Sequence, residues 1–246
     1  MTAPAAHPLP AGLAADIAAA SRILEAQGVV DGMGHVSVRL PDAPDRFAMP
    51  RALAPGLTMP DDIMQFDLDS APCGGDPRRG FLERFIHGEI YRARPDVMAI
   101  VHSHSPSVIP FGLTPVPMRA MFHNAGFLAA GVPVHDIRAT FGTTDLIICD
   151  CERGADLAAA LGDRDVVLMR AHGSVATGPS LPVAVFRAVY TEVNARISHW
   201  THALADGAEI AALSAAEGGL ADAQNAGAAL RAWELWRTRL GAQTGW

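Results

Sequence analysis

The chain has 246 residues, with 19 Lys and Arg against 26 Asp and Glu, a net charge of −7, and half of its residues hydrophobic. That balance excludes a disordered chain, and without a Lys/Arg block or an apolar run of ~20 residues neither nucleic acid nor a membrane is expected as a partner. Three cysteines (Cys73, Cys149 and Cys151) and an N-terminus without a basic-then-apolar leader read as reduced thiols in a cytoplasmic protein.

Residues 11–27 carry apolar positions at helical spacing and end at Gly28. Gly32-Met33-Gly34 is a turn, and His35–Leu40 alternates like a strand, with Arg46–Met49 as its partner after a turn over Pro41–Pro44. Residues 50–62 and 70–80 read as loops around a third strand, Met64–Leu68. Helical spacing resumes over Phe81–Arg92, Pro95-Asp96 breaks it, and Val97–Val101 is a bounded, β-branched strand. Ser105-Pro106 fits a helix start, 114–131 is irregular, and Val132–Val134 is a short strand. Thr143–Ala160 reads as helical in one or two pieces. Asp165–Met169 and Val175–Thr177 are strands, Pro182–Leu204 a long helix, and the Ala-rich tail 208–240 a further helix. Trp233 and Trp236 share a face of that tail, which suits packing or a subunit contact. No repeat or linker divides the chain, so 1–246 reads as one α/β domain with a helical tail from about 208, its strand order left open.

The histidines carry the chemistry. In AIVHSHSP, His102 and His104 stand at i and i+2 at a strand end and so project to one face. They either face water or converge on a metal ion, about 2.0–2.1 Å from each nitrogen if it is zinc-like. The stretch DVVLMRAHG is a second apolar strand running into a histidine, His172. Neighbouring strands ending this way would deliver three imidazoles to one point and leave a coordination position open, as catalytic sites do. Glu83 on the preceding helix, with His87 one turn along, is either an exposed helix glutamate or a carboxylate that coordinates or moves a proton. Cys149-Asp150-Cys151 has no second ligand pair nearby and is not favoured as a metal site.

FLERFIHGEIYRARPDVMAIVHSHSP followed downstream by VVLMRAHGSVATG resembles the class II aldolase/adducin family, over roughly residues 14–205. The resemblance implies a three-layer α/β/α sandwich around a mostly antiparallel central sheet, assembled as a homotetramer with sites near subunit interfaces. It implies a divalent metal on His102, His104 and His172, with Mn2+ favoured, Zn2+ next, and Fe2+ or Co2+ also suited, and it places the family's acid/base carboxylate on Glu83. His87 has a family counterpart without an assigned role.

The sugar-phosphate members grip a phosphate with two hydroxyl- and amide-bearing turns. Here the first reads Gly34-His35-Val36-Ser37, and Met49–Gly56, with Arg51 inside it, replaces the second. An arginine fork and apolar residues such as Met49, Leu53 and Phe122 suit a flat, anionic ring better than a phosphate. In overall texture the chain is similar to the branch of the family that decarboxylates hydroxylated aromatic and hydroxypyridine acids. The expectation is therefore a carbon–carbon lyase, a metal-dependent decarboxylase of such an acid. An aldolase for a sugar phosphate or hydroxy-ketoacid, or an adducin-like module without catalysis, are the alternatives. Arg51, His35, His123 and Ser37 are candidate substrate contacts, each set against an ordinary loop or backbone role. Tyr190 is a candidate proton donor set against packing of its ring. Arg119, Arg138, His7, His135, His199 and His202 are assigned no role.

Overall fold

His35–Leu40 (β1), Ala43–Pro50 (β2), Ile63–Asp67 (β3), Ala99–Ser103 (β4), Val134–His135 (β5), Val166–Met169 (β6) and Gly173–Gly178 (β7) form one sheet in the computed structural model, which describes residues 4–244. The strand order is β3-β2-β1-β4-β7-β6-β5. Every pairing is antiparallel except the parallel β5–β6 edge. Helices Leu13–Ala26 (α1), Leu181–Ala205 (α5) and Ala215–Thr244 (α6) cover one face; Arg84–Ala93 (α2) and Cys151–Leu161 (α4) cover the other, with a short Arg138–Phe141 (α3) near the edge. This is the three-layer α/β/α sandwich with a mostly antiparallel sheet.

Strand periodicity divides the core in two. On β1, Val36, Val38 and Leu40 enter the layer under α1, α5 and α6. The alternate residues His35, Ser37 and Arg39 point to the α2 side, where they are buried rather than solvated. Such polar groups persist inside only if hydrogen-bonded. Arg39 is satisfied by the carbonyls of Val97, Pro44, Tyr91 and Arg94.

Several boundaries differ from the sequence reading. The turn after β1 is tighter, because β2 begins at Ala43. Ser105-Pro106 starts only a turn that leads to the 3-10 segment Ile109–Gly112. The strand expected at 132–134 is Val134–His135. The helix expected over 143–160 begins at Cys151, where the Asp150 side chain accepts from the Arg153 N–H and caps it. Residues 142–150 are non-helical, and Leu146 takes a left-handed φ of 68°. The tail helix opens on a capping box in which Ser214 and Glu217 satisfy each other's backbone N–H. Trp233 and Trp236 are buried in the first core layer, the packing role.

Candidate metal centre

The register brings three strand ends to one place. His35 on β1 pairs with His102 on β4, and Ser103 on β4 pairs with Ser174 on β7. His172 lies in the tight turn that joins β6 to β7. The sequence leaves open whether the strand running into His172 lies beside the His102 strand. β7, the strand leaving His172, is the neighbour instead, and β6 lies beyond it. Gly173 permits this approach, since a Cβ there would stand 2.0 Å from the Ser103 carbonyl oxygen.

The Nε2 of His104 is 3.1 Å from that of His102 and 3.0 Å from that of His172. His102 Nδ1 donates to the Ser174 carbonyl and His172 Nδ1 to the Leu146 carbonyl, each at 3.1 Å. Those bonds fix the tautomers and leave the inner Nε2 atoms as bare lone pairs. Two such lone pairs, with a third ring nitrogen beside them, repel one another unless a cation stands between them. Nitrogens that each bind one ion at about 2.0–2.1 Å can be no more than ~4.2 Å apart, so the donor set fits a metal. Glu83 Oε2 is 3.4 Å from the Nε2 of both His102 and His172. Together Glu83, His102, His104 and His172 form the candidate metal cluster among the described residues.

Glu83 is not inside the helix as expected. It is the residue before the first turn of α2 and is buried, and its Oε1 accepts from the Ile148 N–H at 3.1 Å. Burial alone would raise its carboxyl, but in the metal-free protein bonds from the protonated forms of His102 and His172, whose Nε2 then faces Oε2 with a hydrogen, outweigh it and hold the group far below the usual carboxylate range. Burial likewise lowers His172, and Glu83 more than offsets it, raising the imidazole. His104 is pushed down to about 4 by burial and by its two histidine neighbours. The loop 142–150 thus supports both halves of the centre: the Leu146 carbonyl orients His172 and the Ile148 N–H orients Glu83.

A pocket of about 370 Å³ opens onto Glu83 and His104. Its walls are mainly apolar, with Met33, Leu53, Phe81, Leu82 and Ile147, and His35 at its inner edge. Phe81 packs on His35 with ring centroids 4.7 Å apart. The pocket's cation is Arg79, which is exposed and makes no side-chain hydrogen bond or ion pair among the described residues. Sequence reasoning missed Arg79. The Arg78-Arg79 doublet was visible, but Arg78 is taken up by Asp76, and only the structure separates the two roles.

The other expected contacts fall elsewhere. Arg51 Nε donates to Asp62 Oδ1 at 2.6 Å, off the pocket lining. Met49 is wholly buried in the second core layer, and Phe122 packs against the first; only Leu53 of those three reaches the pocket. Ser37 is fully buried, bonded to His87 Nδ1 at 2.6 Å and to the Tyr91 hydroxyl at 2.7 Å. His123 is exposed beside α6, where its carbonyl accepts from Asn225. Tyr190 lies in the layer on the opposite face of the sheet, its ring 4.4 Å from Phe186 and 6.1 Å from Phe122, so in one chain it does not meet Glu83. Cys149 and Cys151 stand outside the cluster, Cys149 Sγ accepting from Arg153.

Residues 15–199 match the family described as Class II Aldolase and Adducin N-terminal domain. The Decarboxylase tropJ of Talaromyces stipitatus is 42% identical, over 71% of this chain and 71% of its own. The 3,4-dihydroxyphthalate decarboxylase of Arthrobacter keyseri is 31% identical, over 76% of this chain and 78% of its own. Among solved structures, an aldolase II superfamily protein from Pseudomonas syringae superposes with a TM-score of 0.79 at 19% identity, covering 97% of this chain and 96% of that one.

Proposed function

Because the chain belongs to the class II aldolase and adducin family, we propose that it is a metal-dependent decarboxylase of a hydroxylated aromatic or hydroxypyridine carboxylic acid. The observation that carries the reading is a mainly apolar pocket that ends on Glu83 and on His104 of the three-histidine cluster. His102, His104 and His172 would hold the ion. Bound there, a divalent cation supplies Lewis-acid stabilisation of the electron pair left when a carbon–carbon bond breaks.

The chain's own groups supply the rest. Leu53, Phe81, Leu82 and Ile147 form a slot for a flat ring and exclude water from it. Arg79 at the rim pairs with a ring carboxylate, the role first expected of Arg51. Glu83 starts as a carboxylate, because its surroundings disfavour the acid form. Its Oε1 is held by the Ile148 N–H, which leaves Oε2 to take the proton of the ring hydroxyl. As the carboxyl group departs as CO2, its bonding pair stays on the ring carbon, and Glu83 Oε2 returns the proton there.

The reading extends to Mn2+ as the favoured ion, ahead of Zn2+, Fe2+ and Co2+, all of which suit imidazole and carboxylate donors. It also extends to a cytoplasmic homotetramer, which would cover exposed apolar residues such as Trp200 and Leu204 at the end of α5. Incubating metal-loaded protein with dihydroxyphthalates and hydroxypyridine dicarboxylates tests the reaction. CO2 release in step with acid consumption is expected. Cleavage of a sugar phosphate without decarboxylation of any such acid would overturn it in favour of an aldolase.

A further inference from the structure

Behind the pocket lies a buried chain of four side chains that the reaction as described leaves unused. The Tyr91 hydroxyl is 2.7 Å from Ser37 Oγ, Ser37 Oγ is 2.6 Å from His87 Nδ1, and His87 Nε2 is 2.6 Å from His35 Nδ1. Tyr91, Ser37 and His87 are each at most 1% exposed, and His35 is 5% exposed. His35 ends the chain at the pocket, its ring 5.0 Å from that of His102.

Proton counting gives the chain a direction. Each link has one hydrogen, and the phenol O–H has no acceptor among the described residues other than Ser37. If Tyr91 donates to Ser37, the serine donates to His87 Nδ1. His87 then carries its proton on Nε2 and donates to His35 Nδ1, which leaves the His35 proton on Nε2. Every buried donor is then met. In the reverse direction His35 and His87 donate inward, Ser37 donates to the phenol oxygen, and the tyrosine hydrogen is stranded. A stranded buried donor disfavours that arrangement by about tenfold or more.

We propose that Tyr91, Ser37 and His87 are positioning residues that fix His35 as its Nε2–H tautomer, so that His35 presents one fixed N–H donor to a substrate oxygen in the pocket. That the oxygen belongs to the hydroxyl or carboxylate of an aromatic acid rests on the decarboxylase reading. His35 Nε2 has no protein partner among the described residues and is not among the sealed, unpaired polar atoms of the interior, so it is open to the pocket. This separates His35 from Ser37, which acts through it without touching the substrate.

Long-range nitrogen–proton NMR correlation of 15N-histidine-labelled, zinc-loaded protein reads the tautomer without any substrate. The His35 signals are identified by their loss in His35→Phe. A bare Nδ1 and a protonated Nε2 on both His35 and His87 are expected; a protonated Nδ1 on His35 overturns the proposal. In Tyr91→Phe the chain loses its source of direction. His35 should become a mixture of tautomers, with KM for the aromatic acid raised about twofold and metal content unchanged. A His35 tautomer unmoved in that variant overturns the positioning role. If none of the acids is turned over while the tautomers are as stated, the decarboxylase reading fails and the positioning chain stands.

Discussion

Replacing Gly173 with alanine tests the geometry of the centre at its tightest point. The new Cβ would lie 2.0 Å from the Ser103 oxygen, 3.0 Å from the Ser103 carbon and 3.1 Å from His104 Cα, all of them backbone atoms that no rotamer change can move aside. Carbon and carbonyl oxygen approach no closer than ~3.3 Å in ordinary sheet contacts, so the strands must separate by on the order of 1 Å. The separation falls between the Ser103–Ser174 pair of β4 and β7, one residue from His104 and two from His172. Overpacking of this kind costs about 1–3 kcal/mol of stability. A 1 Å misplacement of a reacting group costs about a hundredfold, and a comparable loss, about 2.7 kcal/mol, is expected in metal affinity as His172 leaves His104. Isothermal titration with Mn2+ or Zn2+ measures the affinity, and urea midpoints of the metal-free protein measure the stability. A Gly173→Ala protein that folds and binds metal as tightly as the parent would refute the account.

Glu83→Gln keeps the size of the side chain and its acceptor for the Ile148 N–H but removes the carboxylate proposed as the base. Decarboxylation should fall about 10²–10⁴-fold while metal content, read by elemental analysis, is retained. Arg79→Ala should raise KM for an aromatic dicarboxylate by about tenfold and leave the melting temperature within the small range of surface substitutions. Arg51→Ala should do the opposite, leaving KM unchanged and costing up to about 1 kcal/mol as Asp62 loses its partner; an exchange of those two outcomes would reverse the assignment. Burial pushes His87 down to about 3, with His102 adding to the effect, so the unfolded chain takes the proton first as pH falls. Its contribution is therefore complete above ~6.5 and is lost towards pH 3, at about 1.4 kcal/mol per unit. Urea midpoints of metal-free protein should fall between pH 7.5 and 5, and a flat profile would contradict the burial of a neutral His87.

The histidines of the candidate metal cluster were readable because each sits where a local pattern ends. His102 and His104 share a strand face by the two-residue period, and His172 with Gly173 closes a β-branched run. What lay beyond reach depends on contacts across layers. The alternation of β1 signals a strand, but not that its polar face meets Tyr91 and His87 on α2 instead of water. Residues 143–150 carry helix-compatible residues, yet Leu146 is held left-handed with its carbonyl on His172, and Asp150 starts the helix later. Arg51 and Arg79 are equally plausible clamps in a linear reading. The difference between them is an Asp62 brought beside one of them by the β2–β3 hairpin, where Pro50 pairs with Ile63.

The support of the centre and most of its pocket wall come from different stretches of chain, with Ile147 the residue that belongs to both. One short stretch, 142–150, steadies ligand and base together, so an insertion there would unsettle both at once. The walls come largely from 52–54 and 79–82, which orient neither. Redesign for a bulkier or differently substituted ring can be confined to Ala52, Leu53, Ala54, Phe81 and Leu82, away from Glu83, Arg79 and the histidine cluster.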